Sequence, residues 1–340
     1  MRALTIPRYG PPEVLEVREV PDPVPGTGQV CIRVQRAGLN FADVTARVGL
    51  YPDAPPLPAV MGYEVAGTVH SVGPDAGGLA VGTPVMAMTH FGGQATHALA
   101  QVAYTLPIPP GMSMDQGAAL PVNWLTAQHM LHRVANLQPG MSLLVHMAAG
   151  GVGLAAIALA RAVGGVTIFG TASASKHSVL REAGVTHPID YRTADYVTEV
   201  KKLTHGRGVD LILDAMGGPE WERNDSLLAP AGHLIIFGWA NSISGEKRNL
   251  LRVVPELVTM KRWSPLQLMS KNRTVSGVNV GHLWDQPQLM RTSLDAVMAR
   301  WMEAKVQSHI DAVFPLAEGA AAHRRMHQRK NVGKILFDCT

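Results

Sequence analysis

The sequence predicts an α/β protein in two parts, a strand-rich part and a parallel sheet covered on both faces by helices. Three observations predict it. Residues 1 to about 122 carry many short β-branched runs broken by proline and glycine turns. Beyond residue 142, short apolar runs alternate with helical ones. Between these regions an apolar run, Leu143-Leu144-Val145-His146-Met147, enters a glycine cluster, Ala148-Ala149-Gly150-Gly151-Val152-Gly153, and leaves as a small-residue helical run through Ala160.

In chain order, the first strands are Gln29-Val30-Cys31-Ile32-Arg33-Val34, Val65-Ala66-Gly67-Thr68-Val69 and Thr83-Pro84-Val85-Met86-Ala87-Met88. Turn signals such as Pro21-Asp22-Pro23, Gly73-Pro74-Asp75 and Pro109-Pro110-Gly111 separate them, which reads as a barrel-like β domain. Near Asp115 the pattern changes. Residues 116–120 and 125–131 read as helical. Residues 142–147 form a strand, 153–163 a helix, 166–169 a strand and 176–183 a helix. Residues 209–214, 233–237 and 275–278 supply further strands of the same sheet. The chain is helical again over 290–306. It ends in a strand over 333–337, which could return to the first part.

Bulk properties narrow the function classes. The chain has 340 residues, 46% apolar and 16% charged, with a net charge of +4. That is enough for two globular domains with a substantial core. Basic residues are scattered with no interleaved aromatics, so no nucleic-acid partner is implied. The densest basic stretch, His323-Arg324-Arg325-Met326-His327-Gln328-Arg329-Lys330, reads first as a solvated helix face. Cys31 and Cys339 lie too far apart in sequence to suggest a metal quartet or a disulfide framework. Pro7 interrupts the start before a signal-peptide core develops, so a cytoplasmic location is the default expectation. Residues 143–160 approach the ~18-residue lower limit of a membrane span, but the glycines and His146 argue against one.

The glycine cluster carries the chemistry. Ala148-x-Gly150-Gly151-x-Gly153 follows the G-x-G-x-x-G spacing with alanine in first place. Lying between a strand and a helix, it reads as a dinucleotide-binding turn whose small residues admit a pyrophosphate to the helix N-terminus. Roughly 20 residues on, an NAD site places a carboxylate on the ribose hydroxyls. Here the chain reads Gly170-Thr171-Ala172-Ser173-Ala174-Ser175-Lys176, with hydroxyls and a lysine but no carboxylate. Such donors suit a 2′-phosphate, so the expected cofactor is NADPH. Ser173 and Ser175 could also simply cap the next helix.

These residues resemble the medium-chain dehydrogenase/reductase superfamily across essentially the whole chain. Asn40-Phe41-Ala42-Asp43, Gly49-Leu50-Tyr51-Pro52 and Gly62-Tyr63-Glu64 resemble its zinc-free quinone oxidoreductase branch. Within that branch the vesicle amine transport protein group is the nearest match. The motifs at 145–153, 169–177 and 184–191, with Lys247-Arg248-Asn249-Leu250, carry that likeness. The resemblance implies a GroES-like β-barrel domain from residues 1–123 and 281–340, and a Rossmann domain from 124–280. It implies cofactor contacts at Tyr51, Thr126, Ala149, Gly150, Gly151, Val152, Gly153, Gly170, Thr171, Ser173, Lys176, Tyr191, Phe237, Gly238, Gly277, Val278 and Asn279. It also implies a homodimer formed by edge pairing near residues 275–280.

The resemblance further implies what is missing. Where zinc-dependent members place a cysteine and a histidine, this chain has Asn40 and Tyr63, neither a usual zinc ligand. His129 with His132, and His323 with His327, could each share a helix face. Neither pair has the glutamate of a metalloprotease motif, and both read as helix-surface histidines. Without a metal the substrate must accept hydride readily, as quinones and α,β-unsaturated carbonyls do. Asn40, Tyr51 and Tyr63 are the candidate catalytic donors to the substrate oxygen. Asp43 and Glu64 read as holders of their local loops. Two alternatives stand beside a quinone or enone reductase: a pathway-specific double-bond reductase, and a non-enzymatic nucleotide-binding adaptor at a membrane.

Overall fold

The computed structural model describes residues 1–243, 258, 260–304 and 307–340. The motif at 247–250 and the last residues of the helix expected over 290–306 lie outside them. The strands are β1 Arg2–Ile6, β2 Glu16–Glu19, β3 Gln29–Leu39, β4 Ala59–Val60, β5 Glu64–Val72, β6 Pro84–Met88, β7 His97–Gln101, β8 Thr105–Pro107, β9 Ser142–Val145, β10 Thr167–Ala172, β11 His187–Asp190, β12 Val209–Asp214, β13 Leu228–Ile236, β14 Thr274–Gly277, β15 Ile310–Pro315 and β16 Lys334–Asp338. The helices are α1 Phe41–Arg47, α2 Met114–Ala119, α3 Pro121–Gln128, α4 Gly151–Val163, α5 His177–Ala183, α6 Tyr196–Leu203, α7 Glu220–Asp225, α8 Pro265–Lys271, α9 Pro287–Ala304 and α10 Gly319–His327. The described residues divide into two compact units, 1–125 with those of 281–340, and 126–243 with those of 258–280. Among the described residues no helix is long and apolar enough to cross a membrane.

The first unit is built on a seven-stranded sheet ordered β15-β16-β3-β5-β6-β8, with β7 also paired to β3. A three-stranded sheet, β2-β1-β4, accompanies it. Val30, Ile32, Val34, Val65, Val69, Val85, Ile335 and Phe337 fill the core. β3 runs on to Leu39, five residues beyond the apolar run that marked it in sequence. Register shifts between Cys31 and Ile32 and between Val34 and Arg36 carry it forward against β5. The end of β3 also pairs with β16, Ile335 opposite Leu39 and Phe337 opposite Ala37. The last strand therefore does return to the first unit.

The second unit is a six-stranded parallel sheet ordered β11-β10-β9-β12-β13-β14. Leu144, Phe169, Ile212 and Leu234 pack in its core with Tyr196 and Val200 of α6. The glycine and threonine at 170–171 look like turn residues in sequence, yet they lie inside β10. Pairing of Gly170 with both β9 and β11 overrides its low strand propensity, and Thr171, a good strand former, continues the pairing with β11. Asp195 starts α6 by accepting from the backbone N–H groups of Val197 and Thr198.

The basic stretch at 323–330 is not uniformly solvated. His323 is fully buried within α10. Burial and the neighbouring Arg47 push its imidazole down to about 3. Arg324 pairs with Glu13, and Arg325 grips Asp311 through two bonds of 2.5 and 2.9 Å.

Candidate functional site

In the second unit, β9 lies between β10 and β12, and chain order reverses direction across it. A doubly wound parallel sheet binds ligands outside its strand ends at such a switch point. The glycine turn follows β9. Gly150 precedes α4 as its N-cap and offers no capping side chain. A Cβ on Gly153 would stand 2.5 Å from the Ala148 carbonyl oxygen, so only glycine lets α4 begin this close to the turn. The first helical N–H groups and the positive end of a 13-residue helix thus lie at the strand end.

The other expected cofactor residues sit at or beyond the carboxyl ends of neighbouring strands. Gly170 and Thr171 lie in the last half of β10, and Ser173 stands at the N-cap position of the short turn that carries Lys176, with no side-chain capping bond. Ser173 is buried, and its Oγ lies 3.3 Å from that of Ser175. Tyr191, after β11, is 40% exposed, so its ring is open to a ligand. Phe237 and Gly238 follow β13, where the Phe237 N–H donates to the Asp214 carbonyl at 2.9 Å. Gly277 closes β14, and the Val278 N–H donates to the Ile236 carbonyl at 2.9 Å. Asn279 follows, exposed. Ala149 is buried within the turn, Gly151 and Val152 are half-buried at the start of α4, and Thr126 is buried at the other end of the unit's sequence.

Beneath the turn lies a polar network that the sequence reading missed. His146 is buried, with Nδ1 3.1 Å from Thr171 Oγ1 and Nε2 2.8 Å from Asn224 Oδ1. Tyr196 donates its hydroxyl toward Glu220 at 2.6 Å and Asn224 at 3.1 Å. The Thr171 side chain therefore faces His146 and contributes to the scaffold. Its backbone carbonyl accepts from the Ala148 N–H at 3.1 Å.

In the first unit, Asn40 precedes α1, and Asp43 in the first turn accepts from the Asn40 backbone N–H at 2.7 Å. Gln94 donates to the same carboxylate oxygen at 3.1 Å. Asp43 is completely buried, which pushes its carboxyl up to about 7 against the pull of the Asn40 N–H and the charge of Lys334. Glu64, also fully buried, accepts from Asn40 Nδ2 at 3.0 Å and from the Val122 backbone N–H at 2.7 Å. Asp43 thus holds the start of its own helix, whereas Glu64 ties together segments distant in sequence. Gly38 makes room for this, because a Cβ there would lie 2.5 Å from Glu64 Oε1.

Lys334 completes the cluster. It opens β16, one residue before Ile335, which pairs with Leu39. It therefore arrives beside Asn40. Its ammonium, 2% exposed, donates to Asn40 Oδ1 at 2.7 Å and to Glu64 Oε1. The sequence signal was a lone lysine heading the apolar run Ile335-Leu336-Phe337, and it was read only as the edge of a strand.

Tyr51 and Tyr63 meet edge to face, with ring centroids 6.3 Å apart. Phe91 lies 5.1 Å from Tyr63 on a tilted plane. Met61, Ala54, Leu57 and Val122 complete an apolar wall. Burial, reinforced by the Asp43 charge, holds the Tyr63 phenol above its ordinary range, and burial does the same for Tyr51. The buried Tyr63 hydroxyl meets that of Tyr51, and the Asp43 carboxylate also faces the Gly62 backbone N–H. Asn40, Tyr51 and Tyr63 thus fall in one region, with Asn40 already engaged by two charged neighbours.

No group of three or more histidine, cysteine, aspartate or glutamate side chains suited to a metal occurs among the described residues. At the Asn40–Tyr63 position the donor set itself is unsuited, because an ammonium would repel a divalent cation.

Comparison with known proteins places this geometry. The family described as alcohol dehydrogenase GroES-like domain matches residues 26–126, and that described as zinc-binding dehydrogenase matches residues 151–298. The chain is 41% identical over 339 residues to the human synaptic vesicle membrane protein VAT-1 homolog, covering 99% of this chain and 86% of that one. It is similar to the solved structure of Escherichia coli quinone oxidoreductase complexed with NADPH, at 25% identity and a TM-score of 0.87, covering 99% and 100% of the two chains. The CurK enoyl reductase structure matches with a TM-score of 0.85 at 30% identity, covering 99% and 98%.

Proposed function

The chain belongs to the medium-chain dehydrogenase/reductase superfamily, among the VAT-1 homologues, and from that premise we propose that it is an NADPH-dependent oxidoreductase acting without zinc on quinones or α,β-unsaturated carbonyls. One observation carries the reading. The glycine turn sits at the switch point of a parallel sheet, and the next strand end offers Ser173 and Lys176 with no carboxylate among residues 170–176. The NADPH-bound quinone oxidoreductase of the same fold supports it.

When bound, the dihydronicotinamide supplies hydride. The chain does the rest. The N-terminus of α4 and the backbone around 150–153 hold the pyrophosphate. Ser173 and Lys176 hold the 2′-phosphate. In the first unit, the apolar wall of Tyr51, Tyr63, Phe91 and Met61 keeps water from the acceptor. As hydride adds to the conjugated carbon, the electron pair moves to the carbonyl oxygen. Asn40 Nδ2–H and the phenol pair Tyr51–Tyr63 stabilise that charge. Solvent then supplies the proton that completes the reduced product.

Purified protein is expected to bind NADPH more tightly than NADH and to oxidise it with a simple quinone or enone. Lys176→Ala should weaken NADPH binding by about tenfold and leave NADH binding nearly unchanged, the size of one lost charge-assisted contact. Equal loss for both cofactors would refute the 2′-phosphate assignment. Absence of turnover across a quinone and enone panel would refute the acceptor class. The enoyl reductase neighbour favours testing enoyl thioesters in the same panel. A membrane adaptor is the weaker reading, because Arg324 and Arg325 are already paired with acidic side chains.

A further inference from the structure

We propose that Lys334 is a positioning residue for this reaction: its buried ammonium orients and polarises the Asn40 amide, so that the C-terminal strand supplies the positive charge behind the oxyanion donor. This rests on the proposed reduction of a carbonyl acceptor.

The chemistry of the partners fixes the amide. Lys334 Nζ can only donate, so the Asn40 atom 2.7 Å from it is the oxygen. Glu64 takes the hydrogen bond at 3.0 Å from the other end, which is therefore the nitrogen. Flipping the amide would set N–H against ammonium and carbonyl against carboxylate. Two opposite charges thus clamp one neutral side chain in one orientation. Nδ2 carries two hydrogens, and only one is spent on Glu64 among the described residues. Withdrawal of electron density at Oδ1 by the ammonium makes the other a stronger donor. The clamp is stiff because Glu64 is itself fixed by the Val122 N–H, and Lys334 by its register on β16.

A purely structural ion pair makes a different prediction. Lys334→Met alone leaves Glu64 buried without its counter-charge and could unfold the chain. The double variant Lys334→Met/Glu64→Gln removes both charges, keeps volume, and preserves an acceptor for Val122. It should keep the wild-type NADPH affinity. With an enone acceptor, its kcat should fall about tenfold or more with KM changed less than about threefold, the signature of a donor used in the transition state. Adding Asn40→Ala should cause little further loss, since the double variant already leaves the Asn40 donor unoriented. Lys334→Arg should recover part of the rate.

A second readout needs no turnover. p-Nitrophenolate, an oxyanion probe, should bind the NADP⁺-loaded wild type about tenfold more tightly than the double variant, while neutral p-nitrophenol binds both alike. If the wild type binds no phenolate, or the double variant binds it equally, the proposal is overturned. It is overturned also if the losses from Asn40→Ala and the double variant add in full. A wild type that binds phenolate selectively but reduces no acceptor would instead overturn the functional reading and leave the role of Lys334 in oxyanion binding supported.

Discussion

The two units bury polar clusters of opposite character. In the second, His146, Thr171, Asn224 and Tyr196 form a hydrogen-bonded network beneath the glycine turn. In the first, Lys334, Glu64 and Asp43 are ionisable and almost wholly buried around Asn40. The difference follows from what each unit must present. In the proposed binding mode the second meets the pyrophosphate with backbone N–H groups and a helix end, and its buried network ties β9 to β10 and α7. In the proposed reaction the first meets a developing oxyanion with side chains. It keeps charge in place at the expense of desolvation.

The sharpest way to break the contrast is to remove one member from each cluster. Lys334→Met strands Glu64 without a counter-ion and should cost about 3–5 kcal/mol in urea unfolding. His146→Phe leaves Thr171 and Asn224 short of a partner and removes no formal ion pair, and should cost about 1–3 kcal/mol. Equal losses would mean that the two clusters are energetically alike.

Asp43 gives the next largest effect, and a pH signature. Its folded-state value of about 7 lies above the ordinary carboxylate range. The unfolded chain ionises Asp43 near pH 4, while the folded chain holds the proton until about pH 7. Stability is therefore greatest below pH 4 with respect to this group, and falls as pH rises from about 4 to 7. The fall is up to about 4 kcal/mol, three units at 1.36 kcal/mol each. Asp43→Asn keeps an oxygen for the Asn40 and Gln94 donors and removes the titration. The stability difference, variant minus wild type, should climb across that window and level off above it. His323 works in the opposite sense. Its folded value of about 3 means that stability is lost as pH falls from about 6.5, so His323→Gln should soften acid unfolding.

The same contrast explains what was legible in sequence. The second unit reads well because its function lies in a local pattern: an apolar strand, spaced glycines, then a helix, all within residues 143–160. Strand alternation and turn residues likewise marked the first unit. Lys334 was illegible, because its role depends on β16 crossing nearly the whole chain length to meet the end of β3. His146 was visible but read only as a polar interruption of an apolar run. Its partners Thr171 and Asn224 lie 25 and 78 residues away. The basic stretch at 323–330 misled because composition registers charge, while burial of His323 depends on which face of α10 packs inward. Local motifs survive in sequence; polar contacts assembled from distant strands do not.

The smallest expected effect is also the most specific, because one substitution can be made in both units. Tyr196→Phe removes a hydroxyl that donates to Glu220 and Asn224, and should cost about 1 kcal/mol of stability. Tyr63→Phe removes a buried hydroxyl whose polar contact is the Tyr51 hydroxyl. That loss is offset by removing a desolvated polar atom from an apolar wall, so stability should stay within about 1 kcal/mol of the wild type. If the Tyr63 hydroxyl donates to the substrate oxygen, Tyr63→Phe should be as stable as the wild type yet slower, with kcat down about tenfold or more. A variant that is more stable and equally fast would leave this buried phenol without a function. One that is stable but slow would identify it as a donor whose partner is the reacting oxygen.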